Sequence, residues 1–283
     1  MTQSTLSVGI AELERVLGAL LVERSKRSVR FTPIGEEVVA RARGMIRAGE
    51  DLVAVAQDAR EPLVGAIRLA VIPTVAPFML PCILSGVGAE WPQLRLFVRE
   101  MLTAPACEAL HRGIVDCVLL ALPAECGEID VCDIITDRLL LAMPADNGQA
   151  VRRVRTAIPI DEIDGTRLLL LEDGHCLREH ALATCRVAEP APDARFVAST
   201  LHTLVGLVDA GLGITLLPQM AITAGILTGS RVHARAIAGD GAERRITLAW
   251  RKRHPREAEF HLLAATIRDA AQLASESCPP QEL

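Results

Sequence analysis

Leu6, Ile10, Leu13, Leu17 and Leu20 recur at three- and four-residue steps and predict an amphipathic helix over the first 21 residues, with Thr2 or Ser4 placed to cap it. Behind it, Arg24, Lys26, Arg27 and Arg30 alternate with small polar or apolar residues and predict a short hairpin over 23–32. Its basic tip either faces a polyanion or is simply solvated. Residues 33–60 carry a second helical pattern, with Pro33 suited to a first turn and Ile34, Val38, Met45, Leu52, Val53 and Ala56 forming an interrupted stripe. A stripe so long and narrow suits a helix that pairs with another copy of itself. Pro62 closes the segment.

From residue 63 the period changes to short apolar strands separated by helical stretches. Strands are expected at 64–71, 94–98, 115–120, 139–142, 168–171, 195–198, 214–217, 232–236 and 246–250. Helices are expected near 78–89, 103–112, 177–187, 201–210, 218–227 and 256–275. Apolar strands bounded by helices predict an α/β fold with parallel-rich, covered sheets. These units could form one sheet or two lobes joined by crossing strands; the loop-rich stretch at 138–167 opens a second set of units, which favours two lobes with a cleft between them.

Composition changes little in this picture. Half of the 283 residues are apolar and 23% are charged, which is a globular balance. No apolar run approaches a membrane span or a signal peptide, so the expected compartment is the cytoplasm. A net charge of -5 excludes a chain that coats nucleic acid along its length; residues 1–50, with eight basic against six acidic side chains, leave room for a small DNA-binding module. The absence of Tyr argues against a stacking platform for single strands.

No phosphate-binding glycine signature, HExxH or GxSxG occurs, and Gly211-Leu212-Gly213-Ile214-Thr215 reads as a turn into a strand. Eight cysteines without a CxxC pair fit neither a disulfide scaffold nor a zinc knuckle; Cys117 lies in an apolar run and reads as a buried small hydrophobe. The informative stretch is Leu168 to His180. An apolar strand ends at Leu171, Glu172 to His175 form a loop, and Cys176 opens a helix, where unpaired N–H groups favour negative charge on sulfur. The competing reading is an unreactive helix-start residue.

Cys185 lies nine residues on, about 13.5 Å along a continuous helix and half a turn round it, beyond the Cα spacing of about 4.4–6.8 Å that a disulfide tolerates. A bond between Cys176 and Cys185 therefore requires that helix to open. Thr74 and His175 follow apolar strands, Thr103 opens a helix and Arg251 ends a strand. Together they suit a pocket that holds a peroxide and stabilises charge as its O–O bond breaks, unless both threonines are only helix caps.

These residues carry a resemblance to the LysR-type transcriptional regulators, and within them to the hydrogen-peroxide-sensing branch. It rests on Thr2 to Leu21, Glu23-Arg24-Ser25-Lys26-Arg27, Phe31-Thr32, Ile72-Pro73-Thr74-Val75-Ala76-Pro77, Asp116-Cys117-Val118-Leu119, Leu171 to Arg178 with Cys185, and Gly211 to Pro218. The resemblance implies a partial winged helix-turn-helix (1–32), a linker or dimerisation helix (33–62) and a two-lobed, periplasmic-binding-protein-like regulatory domain. Lobe one would be 63–138 plus 244–275, lobe two 139–243, and 276–283 a loose tail.

It also implies that Cys176 is the peroxidatic and Cys185 the resolving cysteine, with Thr74, Thr103, His175 and Arg251 around the peroxide. Cys107, Cys126 and Cys132 are rival resolving partners, although burial is the expected fate of Cys107. Gln3, Ser4, Thr5 and Ser7 would lie near bases or phosphates, and Arg24, Lys26, Arg27 and Arg30 on the DNA backbone. Implied partners are promoter DNA, further copies in a dimer or tetramer, RNA polymerase, and a glutaredoxin- or thioredoxin-type reductant. No cofactor, metal or catalytic turnover is implied. Family members precede the helix of residues 3–21 with a first helix and the positioning helix of the motif, so weak specific DNA binding is expected of the chain as it stands. The alternative is a LysR-type regulator responding to a small metabolite between the lobes, without redox chemistry.

Overall fold

The computed structural model describes residues 3–24, 28–58, 62–145, 157–187, 196–239 and 241–277. At the front, helix α1 (Gln3–Leu17) leads into a two-stranded antiparallel hairpin, β1 (Val22–Arg24) with β2 (Val29–Phe31), and then the long helix α2 (Pro33–Asp58). α1 is shorter than its apolar stripe suggests because Gly18, at φ 66°, turns the chain out of the helix. Glu14 then reaches forward, and its carboxylate accepts from the N–H groups of Leu21 and Val22 at 2.8 and 3.1 Å. Thr32 starts α2: its hydroxyl accepts from Gly35 N–H at 3.0 Å and donates to Leu20 O at 2.7 Å. Leu6, Leu13 and Leu17 of α1 are exposed.

The rest of the described chain is built on one continuous sheet. Its strands are β3 (Gly65–Val71), β4 (Leu94–Glu100), β5 (Cys117–Leu122), β6 (Ile129–Pro144), β7 (Ile158–Pro159), β8 (Thr215–Pro218), β9 (Val232–Ala238) and β10 (Glu243–Arg251). The order is β4-β3-β5-β10-β6-β9-β7, with β8 also on β6. β3 runs parallel to β4 and β5, whereas β10 runs antiparallel to both β5 and β6. The helices are α3 (Ala76–Glu90), α4 (Thr103–His111), α5 (Cys176–Thr184), α6 (Leu201–Asp209), α7 (Gln219–Thr223) and α8 (Glu257–Ser277).

Two hydrophobic cores form within this frame. The first gathers Ile67, Leu69, Leu119, Leu248, Trp250, Phe260 and Leu263. The second gathers Leu140, Leu171, Leu177, Leu204, Val208 and Leu217. β6 serves both: Ile129 to Arg138 pair with β10, and Leu139 to Pro144 pair with β8 and β9. The chain returns between β9 and β10, where Leu139 N–H donates to Ala242 O at 2.8 Å. The architecture is therefore α/β, with a helix-turn-helix front and a two-lobed regulatory domain.

Several expected strands are differently built. Only 139–142 of β6 was expected, because Asp130, Asp133 and Asp137 interrupt the apolar pattern of its first half. Leu168–Leu171 makes single bridges, Leu168 to Ile214 and Leu171 to Ala198, rather than a strand. Residue 195 and most of the 276–283 tail lie outside the described residues. Among the described residues no helix is long and apolar enough to cross a membrane.

Candidate functional site

The loop ahead of α5 packs at the end of β4, beside the end of its parallel neighbour β3. After β3 the chain turns at Thr74, after β4 it enters α4 at Thr103, and the loop ahead of α5 presents His175 and Cys176. All four side chains are buried, none more than 8% exposed. The loop packs against lobe one: a methyl placed on Gly174, whose φ of 94° suits glycine, would meet Leu102 Cδ1 at 3.3 Å. Cys176 itself belongs to the first core, whereas Cys185, just past the end of α5, belongs to the second.

Neither threonine is a helix cap. The N-cap positions of α3 and α4 are Val75 and Leu102, and neither helix start carries a side-chain cap bond. Thr74 Oγ1 instead accepts from Arg244 Nη1 at 2.8 Å, and Thr74 O accepts from Arg244 Nη2 at 3.1 Å. Arg244 Nε completes the fork by donating to Asp137 Oδ2 at 3.0 Å, and Asp137 Oδ1 accepts from Met220 N–H at 3.0 Å. This guanidinium is 1% exposed and paired across β10 and β6, a buried cation with a partner at each of its three nitrogens.

The structure does not bring Arg251 to this group. Arg251 donates to Leu110 O at 2.9 Å, at the far end of α4 from Thr103, and stands seven residues along β10 from Arg244, roughly 24 Å in an extended strand. The signal that would have identified Arg244 is topological. Thr74 and Thr103 lie beyond the C-terminal ends of parallel strands, and β10 is antiparallel to β5, so the start of β10 reaches that edge. The register pairs Arg245 with Leu122 and Trp250 with Cys117.

Two buried polar atoms in the group have no hydrogen-bond partner: Thr103 Oγ1 and His175 Nδ1. Such atoms cost free energy unless something polar joins them, so both are open to a hydrogen bond from a small polar molecule. His175 Nε2 lies 3.8 Å from a Glu172 carboxylate oxygen. Burial lowers the His175 pKa, with Glu172 opposing, so the imidazole is favoured in its neutral form. Arg178 is spent on the loop rather than on the thiol. It donates to Leu171 O at 3.1 Å and pairs with Asp173 at 3.0 Å. Burial also raises the pKa of Cys185.

Cys107 and Cys126, expected as rivals for Cys176, are joined to each other in a disulfide with Cα atoms 5.2 Å apart. Cys82, Cys117, Cys132, Cys176 and Cys185 are free. Of the DNA-directed residues, Gln3 opens α1, Thr5 is exposed, Ser7 is half-buried, Arg24 ends β1 and Arg30 is exposed on β2; Lys26 and Arg27 lie outside the described residues. Among the described residues no three His, Cys, Asp or Glu side chains cluster as a metal site would require.

Residues 60–272 match the LysR substrate binding domain, and residues 1–36 match the bacterial regulatory helix-turn-helix protein family of lysR type. The chain belongs to the LysR family of DNA-binding transcriptional regulators. It is 41% identical to the HTH-type transcriptional regulator EstR of Acinetobacter baylyi, over 95% of this chain and 88% of that protein. It is 38% identical to a Streptomyces viridosporus protein named as a probable hydrogen peroxide-inducible genes activator, over 95% of this chain and 86% of that one. A solved structure of Corynebacterium glutamicum OxyR, a cysteine-to-serine variant with hydrogen peroxide bound, superposes with a TM-score of 0.72 at 32% identity, covering 98% of this chain and 86% of that one. Within the family the chain is thus closely related to the OxyR-type peroxide sensors.

Proposed function

We propose that the chain is a hydrogen-peroxide-responsive regulator whose sensor is Cys176. The observation that carries this reading is the pair of unpartnered buried atoms, Thr103 Oγ1 and His175 Nδ1, beside a buried thiol at a helix start. A peroxide between them would regain both hydrogen bonds. The Cys176 thiolate attacks one peroxide oxygen, the O–O bond breaks, and hydroxide leaves to take up a proton as water. Sulfur is oxidised to a sulfenic acid. Arg244 holds Thr74 in place for this step.

Cys185 then attacks the sulfenic sulfur, water leaves, and the Cys176–Cys185 disulfide forms. Because α5 is continuous between the two thiols, it opens as they bond. A glutaredoxin- or thioredoxin-type dithiol returns both cysteines to thiols and becomes the disulfide itself. The working division is a head at 1–32, a linker helix at 33–62, lobe one at 63–138 plus 244–275, and lobe two at 139–243. Opening α5 would respace the heads of a dimer or tetramer on promoter DNA and alter contact with RNA polymerase, in the cytoplasm.

The test is a near-stoichiometric peroxide pulse on wild type and Cys176→Ser, followed by thiol blocking and mass mapping of non-reduced peptides. A Cys176–Cys185 link in wild type, absent from the variant, is the expected result. Free thiols at both positions in an intact wild-type fold would overturn it and leave a small-molecule effector between the lobes as the working answer.

A further inference from the structure

The Cys107–Cys126 disulfide lies outside the chemistry proposed for Cys176, yet both of its ends attach to the elements that build that site. Cys107 stands one helical turn after Thr103 on α4, on the same face. Cys126 sits in the segment 123–128 that joins β5 to β6. His111, one further turn along α4, bonds the Cys126 carbonyl at 2.7 Å and holds the segment in register with the helix. Three residues before Cys126, Pro123 O accepts from His180 Nε2 at 2.9 Å, in the middle of α5. Burial lowers the His180 pKa, which favours the neutral ring that donates this bond. A mechanical chain therefore runs from α4 through the disulfide and residues 126–123 to α5.

We infer that Cys107 and Cys126 form a second redox couple, responding to the thiol–disulfide balance and setting how readily α5 opens. A regulator that works on promoter DNA works where glutathione and thioredoxin keep most thiols reduced, and a disulfide there is typically transient and regulatory. Cys107 and Cys126 are only 5% and 4% exposed, but Glu125, Gly127 and Glu128 around Cys126 face solvent, so local opening of this segment admits a small thiol. In the forward step both thiols are oxidised to the disulfide by a low-molecular-weight disulfide such as glutathione disulfide, which is reduced to two thiols. The reverse step consumes two thiols and returns their disulfide. The His111 bond to Cys126 O does not depend on the sulfur bond and keeps the pair placed to re-form.

With the disulfide closed, Pro123 is fixed and α5 is held. With it open, 123–125 yields with α5 while the His111 bond still holds Cys126, and the helix unwinds more often. The link from α5 opening to peroxide signalling rests on the function proposed above; the couple itself does not.

Two measurements keep these apart. Full-length wild type and Cys176→Ser are equilibrated in glutathione buffers of graded ratio, blocked and mass-mapped. The expected result is a Cys107–Cys126 link that titrates with the same midpoint in both proteins; thiols free at every ratio, or a link that never opens, would overturn the inference. Amide hydrogen exchange over 177–185 is then compared between disulfide-closed wild type and Cys126→Ser, with Cys107→Ala as a second route to the open state. Exchange about three-fold or more faster in both variants is expected. Equal exchange in variants that retain their far-ultraviolet circular dichroism would sink the coupling. A Cys176 indifferent to peroxide would count against the proposed function while leaving both of these readouts intact.

Discussion

Arg244→Lys and Arg251→Lys, compared side by side, test which guanidinium serves the buried thiol. Lysine keeps the charge but loses the planar fork. At Arg244 that fork makes three buried bonds to oxygen, to Asp137, to Thr74 Oγ1 and to Thr74 O, besides a longer contact from Nη2 to Met220 Sδ at 3.9 Å. An ammonium can keep the pair with Asp137 but leaves at least one Thr74 acceptor unsatisfied, at about 1–3 kcal/mol per buried group. Removing the charge altogether would strand Asp137 at about 3–5 kcal/mol, and for that reason the lysine variant is preferred. Arg251 has one bond, to Leu110 O, at the half-buried end of β10, so its loss costs about 0.5–1.5 kcal/mol.

Thr74 released from its anchor should also raise the barrier to peroxide attack. Losing about 1.4–2.8 kcal/mol of preorganised stabilisation slows the reaction by roughly 10- to 100-fold. The assay is rapid-quench trapping of the Cys176 sulfenic acid with a dimedone-type probe, on protein verified as folded by circular dichroism. Arg244→Lys should be slowed in that range, and Arg251→Lys should stay within about two-fold of wild type. A slow Arg251→Lys beside a normal Arg244→Lys would refute the assignment.

Other outcomes follow from the same geometry. His254 is pushed down to about 4, by burial first and then by Arg251 and Arg256. The unfolded chain thus binds a proton here that the folded chain refuses, so stability should fall as pH drops from 6.5 towards 4, and His254→Gln should flatten that part of a melting-temperature profile. A methyl on Gly213 would collide with Arg167 O and lie 2.8 Å from Leu169 Cγ, so Gly213→Ala should cost about 1–3 kcal/mol in urea unfolding. Gly88, exposed in α3 with open space around it, should instead gain about 0.5–1 kcal/mol as alanine. Cys117 is fully buried, with its thiol pKa raised well above the ordinary range by burial and Asp116; it should be the last free cysteine alkylated by iodoacetamide under native conditions, and faster labelling than Cys82 would contradict the packing.

The local structure around the candidate site was legible where its signal is local. A glycine-bearing loop and a helix starting at Cys176 are written within a few residues, although the apolar run ahead of them, Leu168–Leu171, makes only single bridges, and Thr74 and Thr103 each follow a strand of the same parallel set. Arg244 was not legible, because its value depends on strand direction. With β10 read in isolation, the end of the strand looks like the site edge; only its antiparallel pairing with β5 reverses that. The Cys107–Cys126 bond was hidden for a related reason. Its 19-residue separation contains the end of α4 and the whole of β5, and the return of β5 to the sheet brings the two cysteines together.

The same pairing decides where movement can occur. β6 and the return from β9 to β10 both join the lobes, and Asp137 and Arg244 face each other across the last pair of rungs before β6 turns to its other partners. A buried ion pair at the crossing resists bending there, because any separation exposes two charges to an apolar interior. α5 has no such rivet. Its first residue packs in one core, and Leu177, Ala181 and the following Cys185 pack in the other. Of its side chains, His180 reaches across to Pro123 O at 2.9 Å and Thr184 to Gly241 O at 3.4 Å. Drawing Cys176 and Cys185 together must therefore pull a residue out of one of the two cores, while the sheet beneath stays paired. On the proposed chemistry, the signal is a local unwinding read at the lobe surface, with the crossing strands acting as the fixed frame against which it is registered.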